Sequence, residues 1–104
     1  MSFVALVEIH LHFPDNHSLK GKRKEIQHLR AQLQHRFGAS VSETEHHDLW
    51  QRATLSVALV GGNAGVVDDA AAKLCRYVDS QFPDGVRIER ALISGEEILS
   101  GHAL

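Results

Sequence analysis

The 104-residue sequence predicts an α+β fold in which two helices cover one face of a four-stranded antiparallel sheet, and three observations predict it. Apolar and polar residues alternate from Phe3 to Phe13 and from Ala53 to Val60, the period of two that marks a strand with one buried face. From Leu19 to Phe37 and from Val67 to Phe82 the apolar residues recur every three to four positions, as on a helix lying against a core. Turn residues then divide the chain in the order strand, helix, strand, strand, helix, strand.

In the first strand the odd positions from Phe3 to Phe13 are all apolar, while the even ones are Val4, Leu6, Glu8, His10 and His12. The even face begins apolar and ends polar, so its first half is expected to be covered and its second half to meet water. Pro14, Asp15 and Asn16 turn the chain, and Ser18 or Asn16 caps the first helix. Leu19, Ile26, Leu29, Leu33 and Phe37 follow at spacings of seven, three, four and four, which forms one apolar stripe at about 100° per residue.

Gly38 supplies a left-handed residue that ends this helix, and Ala39 to Glu45 reads as an edge strand with Val41 facing inward. His46 to Trp50 connect it to a third strand, in which Ala53, Leu55, Val57 and Leu59 alternate with Thr54, Ser56, Ala58 and Val60. Gly61 and Gly62 break that strand, Asn63 caps a second helix, and Val67, Ala70, Ala71, Leu74, Val78 and Phe82 give it a core stripe. Pro83, Asp84 and Gly85 turn the chain into a final strand from Val86 to Ile93. The expected organisation is one domain over residues 1–94 and a weakly ordered tail over 95–104.

The order β-α-β-β-α-β is the split arrangement of a ferredoxin-like domain. Its first and third strands are central, so Val4, Leu6, Ala58 and Val60 should form an apolar patch on the uncovered face of the sheet. Such a patch reads as the interface of a homodimer.

Charge is distributed unevenly. Between Asp15 and Arg36 stand six bases (Lys20, Lys22, Arg23, Lys24, Arg30, Arg36) and two acids, a local balance of +4 in a chain of net −2, which leaves −6 elsewhere. Four of these bases fall in the first turns of the helix, where the macrodipole disfavours cations by a few tenths of a kcal/mol each. A bound phosphate would reverse that preference, taking hydrogen bonds from the helix N-terminus, Ser18, Lys20, Lys22, Arg23 and Lys24, with Arg30 a turn further on. The competing reading is a solvated face that serves solubility. With a pI near 6.4 the whole chain is no generic polyanion binder, so any RNA contact must be local.

Other chemistries find little support. Cys75 is a lone thiol in the second helix and reads as core filler, and no leader or membrane span precedes it, so the cytoplasm is expected. His10 and His12 share a strand face with Glu8, but two or three ligands do not close a metal site and His46 and His47 lie on a different strand. The turn Gly61 to Gly65 lacks the lysine of a phosphate loop. Neither catalytic residues nor a cofactor are expected. Glu8, His10, Thr54 and Ser56 stand where an RNA-recognition fold would carry stacking aromatics, which disfavours base reading on the sheet. Trp50, next to Arg52, could stack on a base, but a single Trp beside a hairpin is more often a core plug, here against Leu49.

Two motifs carry a family resemblance. His17, Ser18, Leu19, Lys20, Lys22 and Arg23 form an HSLKxKR motif, and the segment from Ser40 through Trp50, Gln51 and Arg52 to Ala53 forms the second. Through them the chain resembles the YlxP-like family of small bacterial cytoplasmic proteins of unknown function. The resemblance implies a ferredoxin-like fold, no established catalytic residue, and a setting among genes of translation and ribosome maturation. The expected function is therefore a non-enzymatic RNA- or ribosome-associated binding protein that contacts phosphate through the first helix. A homodimeric interaction module using the open sheet face is the alternative.

Overall fold

The computed structural model describes residues 1–83 and 85–102. Strand β1 (Phe3–His12), helix α1 (Leu19–Phe37), strands β2 (Ser40–Glu45) and β3 (Arg52–Gly61), helix α2 (Ala64–Gln81) and strand β4 (Val86–Ser94) follow in chain order. The sheet order is β2-β3-β1-β4 with every neighbour antiparallel, so β1 and β3 are central and the fold is ferredoxin-like α+β, as the periodicities predict.

Odd-numbered side chains of β1 and β3 point under the helices. Val7, Ile9, Leu55 and Val57 are wholly buried there, with Ile9 opposite Leu55 on one side and Ile88 on the other. Ile26, Leu29 and Leu33 of α1 and Val67, Ala71, Leu74 and Val78 of α2 complete the core. Each large apolar side chain buried in this way stabilises the fold by about 1.5–3 kcal/mol, and truncating Leu33 or Leu74 to Ala would cost about 2–5 kcal/mol. Phe13 and Phe82 meet edge to face at 6.0 Å where α2 ends.

Both helices are capped by local chemistry. The Ser18 hydroxyl accepts from the Gly21 N–H at 3.0 Å, and the Asn63 side chain accepts from the Val66 N–H at 3.1 Å. Gly38 ends α1 at φ 63°, with its N–H donated to the Gln34 carbonyl, in the left-handed region that a Cβ disfavours. Asn16 caps neither helix. Its amide instead donates to the Ser18 and Trp50 carbonyls, which ties the β1–α1 loop to the β2–β3 loop.

Residues 95–102 differ from the expected loose tail. Gly95–Glu97 form a helical turn capped by Ser94, Gly95 is buried with its N–H donated to the Ser2 carbonyl at 2.8 Å, and the backbone leaves helical geometry at Ser100 and Gly101, where φ is 99°. Asp84, the middle residue of the expected Pro83–Gly85 turn, and tail residues 103–104 lie outside the described residues.

Candidate functional site

Four residues C-terminal to the Ser18 cap, Lys22 comes round to the same side of α1 as Ile26, Leu29 and Leu33, within about 40° of each. It is only 1% exposed. Its ammonium donates to the carbonyls of His46 at 2.7 Å, His47 at 3.1 Å and Arg52 at 3.1 Å. An ammonium has three donors, and these carbonyls take all three. The Glu43 carboxylate lies 3.3 Å away and that oxygen accepts no hydrogen bond among the described residues, so it acts by neutralising the buried charge. Lys22 therefore does not face an anion in solvent. It fastens the loop between β2 and β3 to the start of α1, and that loop contains His46, the one non-glycine residue with positive φ, at 65°, among the described residues.

The other bases of the motif do reach solvent. Lys20, Arg23, Lys24 and Arg30 are exposed, and none is in an ion pair among the described residues. Arg36 differs, since its guanidinium lies 4.6 Å over the Tyr77 ring and donates to Gln32. The Ser18 hydroxyl already accepts the Gly21 N–H. Gly21 itself is closely approached, because a Cβ there would meet the Asn16 side-chain oxygen.

The uncovered face of the sheet is graded in rows across the strands. At one end Val60, Val4 and Ile93 lie side by side, followed by Ser40, Ala58, Leu6 and Ala91. Val4, Leu6, Ala58 and Val60 thus share the open face as expected, with Leu6 46% and Val60 70% exposed. The next row is Ser42, Ser56, Glu8 and Glu89, in which Ser56 donates to Glu8 at 2.5 Å and exchanges a hydrogen bond with Thr44 at 2.8 Å. Then come Thr54, His10 and Arg87, and last Arg52 beside His12. The His10 ring bridges Thr54 at 3.2 Å and Glu89 at 2.9 Å, and Arg87 donates to the same Glu89 oxygen at 2.8 Å. The hydrogen bond from His10 and the charge of Arg87 hold the Glu89 carboxyl below the usual carboxylate range.

At this polar end an open pocket of about 310 Å³ is lined by His10, His12, His46, Arg52, Thr54 and Arg87, among others. It adjoins a wider recess of about 570 Å³ formed by His12 and the loop from Asp48 to Arg52. Trp50 is 53% exposed in that recess, so it is no core plug, and Leu49 is exposed with it. The pocket is lined by His10 and His12 from β1 and by His46 from the β2–β3 loop. Strand order alone separates them, since β2 lies beside β3 and not β1, but the β2–β3 loop places His46 at the same end of the sheet. Among the described residues, no three His, Cys, Asp or Glu side chains are close enough to hold a metal. Cys75 is half-buried against the core, and burial raises its thiol pKa, which leaves it a weak nucleophile.

Comparison with known proteins adds a fold and a family. A solved structure described as "De novo designed protein Foldit4" is similar with a TM-score of 0.61 at 9% identity, over 90% of this chain and 98% of that one. At that identity the likeness shows the fold alone. No curated protein matches the chain. A family model described as "Protein of unknown function (DUF503)" matches residues 4–90.

Proposed function

The chain belongs to this DUF503 family of unknown function, and from that premise we propose that it is a non-enzymatic RNA- or ribosome-associated binding protein. The observation that carries the reading is the exposed row of Lys20, Arg23, Lys24 and Arg30 on α1, in a chain whose remaining charge is acidic. The first turn of α1 contains no acid, so the positive end of the helix dipole and these side chains favour an anion together. Their contact is phosphate-directed and insensitive to base sequence. Lys22 supports the surface from behind and makes no contact of its own. Closer placement in the YlxP-like family, a cytoplasmic setting and a part in ribosome maturation belong to the same proposal. No helix among the described residues is long and apolar enough to cross a membrane.

Recovery of ribosomal RNA with the tagged protein from a native lysate, lost on ribonuclease treatment, is the expected result. Absence of binding to purified ribosomal RNA at low salt contradicts the proposal.

The open face favours a second reading, a homodimer. Val4 stands opposite Val60 and Leu6 opposite Ala58, and Ile93 and Ala91 continue the patch onto β4. Val4→Glu with Val60→Glu should convert a dimer to a monomer with helix content unchanged, as read by light scattering and circular dichroism. A parent protein that is monomeric at tens of micromolar removes this reading.

A further inference from the structure

The basic end of the open face is not part of the helix surface described above, and it combines two features that recognise a nucleotide. Arg52, Arg87, His10, His12 and His46 converge from three strands and a loop on one pocket, with Thr54 at its floor. Arg52 neighbours His12 across β1 and β3, and Arg87 neighbours His10 across β1 and β4, so the two guanidiniums flank β1 at the same end of the sheet. Glu89 takes one hydrogen bond each from His10 and Arg87, Thr54 occupies the other His10 nitrogen, and Glu45 lies 4.0 Å from His46, so His10 and Glu89 orient Arg87. Beside it stands Trp50, half-exposed on a loop whose backbone is anchored by Asn16 and Lys22. An exposed indole on an anchored loop next to a cationic pocket is the arrangement that stacks a base while its phosphate is held.

We propose that this end of the sheet binds a phosphorylated nucleoside, with the phosphate among Arg52, Arg87, His12 and His46 and the base stacked on Trp50. The strand reaches the site as single-stranded RNA. A second groove shares His12 with the site and reaches Lys24 at the start of α1, with Asp15 and Glu25 also in its lining. The Trp50 site deepens the RNA reading and rests on it for the source of the nucleotide, whereas its chemistry holds equally for a free nucleotide.

Trp50 is the sole tryptophan, which makes its emission a reporter confined to the site. Oligouridylate, uridine monophosphate and inorganic phosphate are titrated separately at low salt, with a labelled oligouridylate followed by anisotropy in parallel. The strand is expected to change Trp50 emission saturably, and Arg52→Gln and Arg87→Gln should each weaken it about tenfold, the effect of losing one charge-assisted contact. Lys20, Arg23 and Lys24 replaced by Gln should lower strand affinity while the Trp50 response persists at saturation. Trp50→Phe, on an exposed side chain, should leave folding intact and weaken the strand more than inorganic phosphate. A mononucleotide that saturates the response as readily as the strand also supports the site and assigns it to free nucleotides. If the strand binds by anisotropy while Trp50 emission is unmoved and Arg52→Gln binds like the parent, the helix alone carries RNA and the site is overturned. If no probe alters Trp50 emission and no strand binds, both readings fall.

Discussion

Lys22→Met would keep the length of the side chain and remove its ammonium, leaving three loop carbonyls without a donor and Glu43 without its counter-charge. The expected cost is about 3–5 kcal/mol in urea unfolding, and adding Glu43→Leu should recover part of it, because the second change removes the orphaned charge. A cost below 1 kcal/mol would show that the loop does not depend on this anchor. The role of Lys22 was half visible in the sequence. The apolar stripe of α1 jumps seven residues from Leu19 to Ile26, and Lys22 occupies the vacant core position, but residue type argued for solvent and only tertiary structure supplies the buried carbonyls.

Glu89 gives a second test at this scale. Because its carboxyl is held below its ordinary value in the folded state, its contribution is present above that value and is lost as pH falls through the folded value. Glu89→Gln should therefore lower stability slightly near neutrality and converge with the parent once pH falls below the folded value, which flattens the acid limb, as followed by thermal unfolding across pH. An unchanged acid limb would mean that His10 and Arg87 do not favour the ionised form.

Among the elements, β1 was legible on both faces, because a period of two assigns each side chain to one face without knowledge of its partner strand. The open-face patch of Val4, Leu6, Ala58 and Val60 follows directly from that period. Helix ends were legible where a single residue determines them. Gly38→Ala should cost about 1 kcal/mol, since the C-cap at φ 63° is strained for any residue with a Cβ, and an unfolding midpoint equal to the parent's would contradict that cap. The β2–β3 loop was not legible. Its conformation is set by Lys22 from α1 and Asn16 from the β1–α1 loop, both distant in sequence, so the choice between a buried and an exposed Trp50 stayed open and His46 could not be placed in one pocket with His10. Residues 95–97 were missed for a similar reason, as the buried Gly95 is tied to Ser2 at the other end of the chain.

For the whole molecule, the net charge of −2 conceals a separation of sign. Bases lie on α1 and at the polar end of the sheet, while the opposite end of the open face is apolar. On the proposed reading one end meets an anion and the other a hydrophobic partner, and the two surfaces can be tested independently. Mutating Val4 and Val60 should leave RNA affinity per protomer unchanged, and mutating the bases should leave the mass in solution unchanged.

Salt dependence of RNA binding tests the central claim most directly. Lys20, Arg23 and Lys24 replaced together by Gln retain helix-compatible side chains, so folding should be unaffected or slightly improved. If each base contacts one phosphate of a single strand, the slope of log affinity against log salt should become shallower by about two units, at about 0.7 per lost contact, and affinity should fall alike for every RNA sequence. A variant that binds ribosomal RNA as tightly as the parent, with the same slope, would show that the exposed face of α1 is merely solvated.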